Sequence, residues 1–204
     1  MFATIYLPDF YLQAALRYEP ELWMRPAALI EEQEKKPVII QLNEAAESAG
    51  IRKGMTPSQA LARFLHVVIK ARARAQEKSL QDILLHHAFT LSPFVEATAP
   101  GISTIQFTKW HRHPADGPRP ADDSCAGSAC YAKVSRVIDQ LETCEITAQA
   151  GIAPLPDTSF LAAHLARPVL EIDSAKRFLA PLPIETLAIG YDRSSEICNR
   201  GLRR

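Results

Sequence analysis

The stretch KARARAQEK sets Lys70, Arg72, Arg74 and Lys78 close together in the chain. On a strand, alternation places the first three on one face, a stripe that suits sequence-independent contact with nucleic-acid phosphates. A solvated surface fits the same pattern. Histidines and cysteines are the other candidates for chemistry, and their spacing argues against a metal centre. His86 and His87 are adjacent and therefore point in different directions. His111 and His113 fall in KWHRHPADGPRPADDSCAGSA, where the density of Pro, Gly, Asp and Ser suits a solvated surface loop. Cys125 and Cys130 stand in a Gly/Ser-rich stretch, without histidines or a second cysteine pair at zinc-like spacing. No P-loop glycine pattern, nucleophile elbow or internal repeat is present. Nor does a Ser/His/Asp, Cys/His or paired-acid constellation nominate the site of a small-molecule enzyme.

Composition narrows the class further. With 204 residues, 47% of them apolar, the chain can bury a core in one large domain or two small ones. The 23 basic and 23 acidic residues cancel, so any contact with nucleic acid or a membrane must be local. The opening MFATIYLPDF has neither the basic region nor the cleavage site of a signal peptide, and no stretch approaches the roughly 20 apolar residues of a membrane helix. Cys125, Cys130, Cys144 and Cys198 fit a reduced, cytoplasmic chain better than a disulfide framework.

The elements that would position these groups follow from periodicity and turn residues. FATIYLP reads as a strand ending at Pro8, and FYLQAALRY as a helix. PAALIEE and KPVIIQLN read as two strands joined by a charged turn at Gln33 to Lys36. A short helix stopped by Gly50 precedes a second helix that begins at Pro57 behind the cap Thr56. HVVIKARA returns as a strand, and Gln76 to Leu91 has one apolar helical face. FVEATAPGISTIQF reads as two β runs turning at Pro100 and Gly101, with Tyr131, Val134, Ile138 and Leu141 marking a later helix. EITAQAGIA reads as a strand, and DTSFLAAHLAR as a helix capped by Asp157 with Phe160, Leu161, His164 and Leu165 on one side. VLEI is a short strand, and SSEICNRGLRR a helix approaching Gly201. The order of elements predicts an α/β chain with a mixed or mostly antiparallel sheet.

In four segments the chain resembles the Y family of translesion DNA polymerases. IYLPDFYLQAAL is similar to the opening strand and helix, NEAAESAGIRKGMTPSQALAR to the fingers, SPFVEATAPGISTIQF to the hairpin that normally carries Ser-hydrophobic-Asp-Glu, and AGIAPLPDTSFLAAHLARP to the segment with a lysine after Gly-Ile-Ser. The resemblance implies an α/β (α+β) fold: palm at 1–18 and 74–168 with a flexible loop at about 109–128, fingers at 19–73, and a partial helical thumb at 169–204. It also implies that this is the N-terminal part of a longer chain.

Family chemistry uses two metal ions bridged by carboxylates. At the matched positions stand Tyr6 for the first aspartate and Pro100 and Gly101 for the Asp-Glu pair, none of them a ligand for a hard cation. Glu44 and Glu47 stand where the family has tyrosine and arginine against the triphosphate, and Phe160 where it has the lysine. Tyr11 keeps the steric-gate position, with packing as its expected role. The expected reading is a non-catalytic scaffold without metal or cofactor. As in the family's catalytically defective members, its implied partners are an error-prone replicative-type polymerase, a RecA-like small protein, the sliding clamp and DNA, the last gripped mainly beyond Arg204. The alternative is an active polymerase with a displaced metal site. Against it, Glu96 lies roughly 13 Å along the strand from Pro100, and Asp9, about 10 Å past Tyr6, would face the opposite side of the sheet as a strand residue.

Overall fold

A computed structural model describes residues 1–31, 36–107 and 125–187. The centre of the charged turn, most of the loop at 109–128 with His111 and His113, and the terminal helix all lie outside the described residues. The chain divides into two compact units: one of Met1–Tyr6, Leu84–Cys144 and the residues from Ala148 on, the other of Leu7–Ile83 and Glu145–Thr147.

The first unit is built on a sheet of order β5-β6-β1-β7-β8. Strand β1 (Phe2–Tyr6) is central and antiparallel to both β6 (Ile102–Gln106) and β7 (Gln149–Ala153). Strand β5 (Val95–Ala99) forms the expected hairpin with β6, and β8 (Val169–Glu171) runs parallel to β7. Thr4 and Tyr6 share one face of β1, and Ala3 and Ile5 the other by pleat alternation; all four are buried, so β1 is covered on both faces. Helix α6 (Pro156–Leu165) lies on the Tyr6 face, where Thr4 Oγ1 and Ser159 Oγ are 2.8 Å apart. Gly151 permits that approach, because a Cβ there would sit 2.3 Å from Ala163 N and from Ser159 O. Helix α5 (Cys125–Thr143) packs on β7 and β8 and buries Val134, Ile138 and Leu141 as its spacing predicts.

The second unit holds a sheet of order β3-β2-β4, with β2 (Ala27–Ile30) antiparallel to β3 (Ile39–Leu42) and parallel to β4 (Val68–Ala71). Ala28 faces a cluster with Ala46 of α2 (Glu44–Ser48) and Ala60 of α3 (Pro57–Arg63). Ala27 and Leu29 face Leu12, Ala15 and Leu16 of α1 (Phe10–Leu16). Helices on both faces explain why Ala27, Ala28 and Leu29 are consecutive and all buried. Thr56 and Gln59 form a complete capping box, with Pro57 opening α3.

Several expectations are corrected. Helix α1 belongs with the second unit, which begins at Leu7. Helix α4 (Arg74–Leu91) begins two residues before Gln76, and the division between the units crosses it after Ile83. Strand β8 joins the first unit's sheet, and α7 (Ala175–Leu179) and α8 (Ile184–Leu187) follow it. Helix α5 begins inside the stretch read as loop, at Cys125. Leu155, with Pro156 at the first helical position, caps α6 in place of Asp157. The predicted strand EITAQAGIA is shortened to β7, and Glu145 takes a left-handed backbone with φ 59°.

Candidate functional site

Strand β1 delivers Tyr6 to its C-terminal end, opposite Ile102 on β6 and Gln149 on β7. The hairpin turns between Ala99 and Ile102 through Pro100 and Gly101, the glycine holding a φ of 75° that a side chain would strain. Phe160 arrives from α6. Tyr6, Ile102 and Ala163 form a buried cluster, with Ala99 and Phe160 packed against it. Two positions that the resemblance assigns to metal and phosphate chemistry, Tyr6 and Phe160, thus share one apolar cluster with both flanks of the third.

His164 completes the cluster. Its ring stacks on Tyr6 with centroids 4.1 Å apart and planes at 19°, and lies 4.5 Å from Phe160 at 41°. Its Nδ1 is 2.9 Å from Phe160 O one turn earlier. Sequence reading placed His164 on the apolar side of the helix and missed the three-ring stack; the available signal was the i,i+4 spacing from Phe160. Among the described residues, the cluster and its ring contacts contribute phenol, phenyl, imidazole and aliphatic groups. A magnesium-type cation takes carboxylate and carbonyl oxygens and dehydrates reluctantly, so this donor set does not fit the metal pair that the family implies. Among the described residues there is no group of three or more His, Cys, Asp or Glu able to hold a metal ion.

The displaced acids can be placed individually. Glu96 stands on the edge strand β5, exposed and opposite Thr104. Asp9 is no strand residue: β1 ends at Tyr6, and Asp9 caps α1 with a left-handed backbone of φ 46° and ψ 42°. The alternation argument against Asp9 therefore does not apply, because the chain turns at Pro8.

In the second unit, Glu44 and Glu47 occupy the first turn of α2 and are exposed. Carboxylates there are favoured by the partial positive charge of the helix start, a local reason for their presence. Asn43 caps that helix and is buried: its Oδ1 accepts from Ala46 N and Ala27 N, both at 3.0 Å, while its Nδ2 donates to Trp23 O at 3.1 Å and Arg25 O at 2.7 Å. Gln13 performs a similar task, donating to Pro8 O at 2.6 Å and Thr147 O at 2.9 Å and accepting from Thr147 N at 2.9 Å. Both polar hubs escaped sequence reading, since neither residue type marks burial.

The expected basic stripe is corrected as well. Strand β4 stops at Ala71 and Arg74 opens α4, so alternation does not relate the three cations. Each has a carboxylate instead: Lys70 pairs with Glu19 at 2.6 Å, Arg72 with Glu77 at 2.6 Å and Glu31 at 2.9 Å, and Arg74 with Glu31 at 2.8 Å. Burial pulls the pKa of Arg72 down, but its hydrogen bond to Glu77 and the charges of Glu77, Tyr11 and Glu31 raise it overall, so it stays charged. Its guanidinium also lies 3.8 Å above the centre of the Tyr11 ring. One face of Tyr11 is thus covered by a cation. Lys78 is exposed and has no ion pair among the described residues.

This mixed α/β arrangement is the fold of Y-family DNA polymerases. It is similar to the insertion ternary complex of Dbh DNA polymerase, with a TM-score of 0.75 and 14% identity over 100% of this chain and 58% of that one. DinB from Sulfolobus solfataricus gives a TM-score of 0.74, again at 14% identity, over 96% of this chain and 57% of the other. Residues 5–165 match the impB/mucB/samB family, to which the chain belongs. DNA polymerase IV of Pseudomonas syringae pv. tomato is 27% identical over 184 residues, 87% of this chain and 48% of that protein. The chain thus spans about half the length of this curated relative.

Proposed function

We propose that this chain is the polymerase-like part of a non-catalytic scaffold acting in DNA-damage-induced mutagenesis, of the kind represented by the ImuB subunit of the bacterial mutasome. The observation that carries the reading is the apolar cluster of Tyr6, Ile102, Ala163 and Phe160, which gathers positions that the resemblance assigns to metal and phosphate binding. Nucleotidyl transfer depends on cations that stabilise the attacking and leaving oxygens, and phenol, phenyl and aliphatic groups supply none of that stabilisation. Glu44 and Glu47 add negative charge on α2 where a triphosphate would need cations.

On this reading the preserved fold serves assembly. A cytoplasmic complex brings a separate error-prone replicative-type polymerase to the lesion together with a RecA-like partner and the sliding clamp. The relatives named above are DNA polymerases and their complexes, and DNA contact by the scaffold is proposed on that basis. Primer extension tests the reading. The purified protein, supplied with magnesium or manganese, primed template and all four deoxynucleotides, should add no nucleotide under conditions in which a family polymerase extends the primer fully.

The competing reading is an active polymerase with a displaced metal site, and the position of Asp9 outside β1 is the observation that favours it. Templated extension abolished by Asp9→Asn or Glu96→Gln would establish that reading and overturn the scaffold.

A further inference from the structure

The ring stack does more than occupy the place of acids. It joins two separate elements, since Tyr6 ends the central strand β1 while Phe160 and His164 lie one turn apart on α6. Tyr6 is 8% exposed, while Phe160 and His164 are half-buried, so the contact lies at the edge of the core. Thr4 and Ser159 join the same strand to the same helix two residues earlier along β1. Gly151 lets α6 lie so close to β7 that a Cβ there would stand 2.3 Å from Ala163 N and Ser159 O.

We infer that the Tyr6–His164–Phe160 stack is a structural replacement for a metal centre: it couples β1 to α6, and its His164 and Phe160 rings close the site to a cation even when carboxylates are restored at residues 6, 100 and 101. The inference rests on the reading above that the native site holds no cation, and it goes further in making the loss part of the fold's stability. Two physical effects produce the closure. Carboxylates placed at residues 6, 100 and 101 would stand among Ile102, Ala163 and Phe160, where desolvation disfavours their charged form. A hard cation must exchange its water for oxygen ligands, and the imidazole and phenyl rings offer none.

Thermal unfolding of the whole chain measures both parts. In a cycle of Tyr6→Leu, His164→Ala and the double variant, the Tm losses should be non-additive, the double variant melting at least about 3 °C above the sum of the single effects. His164→Phe, which keeps a ring, should remain within about 2 °C of the native chain. The second part compares the triple variant Tyr6→Asp, Pro100→Asp, Gly101→Glu with the same variant also carrying Phe160→Ala and His164→Ala. On addition of magnesium chloride, only the variant without the two rings should gain Tm. Additive Tm losses would overturn the coupling, and equal magnesium responses in the two acid variants, including none in either, would overturn the closure. Primer extension by the native chain would remove the scaffold reading yet leave the coupling measurement interpretable.

Discussion

Replacing Asn43 by alanine removes a helix cap and leaves the buried Ala27 N without a partner. A lost cap costs about 1 kcal/mol and each buried unsatisfied group roughly 1 to 3, so urea unfolding of Asn43→Ala should show a loss of roughly 3 kcal/mol. His87 makes a second prediction at this scale. Burial, then the neighbouring charge of His86, lowers its pKa below the usual 6.5, against a hydrogen bond to Gln140 that raises it. The unfolded chain therefore binds more protons just below that value, and stability falls as pH drops from about 6.5 toward the folded pKa. His87→Gln should shrink the difference in urea midpoint between about pH 7.5 and about pH 5 relative to the native chain. Residue types at Tyr6, Pro100, Gly101 and Phe160 were legible in the sequence, because substitutions within known motifs need no coordinates. The contributions of His164, Asn43 and Gln13 were not, since each depends on which backbone or ring happens to lie within a few ångströms.

Among the elements, β4 and the start of α4 illustrate why a charge pattern alone misleads. Alternation was the correct rule for a strand, but the strand ends at Ala71 and its cations meet carboxylates from distant segments, Glu19 and Glu31. Neutralised in this way, they have little charge left for phosphate. Lys70→Ala should change the affinity for a primed DNA duplex less than twofold in fluorescence anisotropy at low salt; a tenfold loss would show that the Glu19 pair opens to DNA. Arg72→Ala should instead act on stability, by about 3 kcal/mol in urea unfolding, because it strands Glu77, whose side chain is only 9% exposed, and leaves Glu31 paired with Arg74 alone. The β5–β6 hairpin, the Thr56 cap and the apolar face of α5 were readable from local spacing and turn residues. Element ends were less so: the Leu155 cap, the start of α5 and the shortened β7 depend on tertiary partners that compete with local preference.

For the whole molecule, equal numbers of acidic and basic residues mean that no net field draws this chain to DNA. With the cations around β4 already paired, a plot of log affinity for duplex DNA against log salt should have a slope shallower than about −2, equivalent to roughly two phosphate contacts. A slope near −6 would reveal a basic surface that the described residues do not supply. The α/β class, most element types and the unusual residues at the motif positions followed from the sequence by itself, because hydrophobic periodicity and motif spacing are local properties of the chain. Tertiary structure alone decided that α1 joins the second unit, that the basic residues are neutralised, and that the unusual residues condense into a ring stack. These outcomes depend on burial and on distances between segments far apart in the chain, which no local pattern encodes.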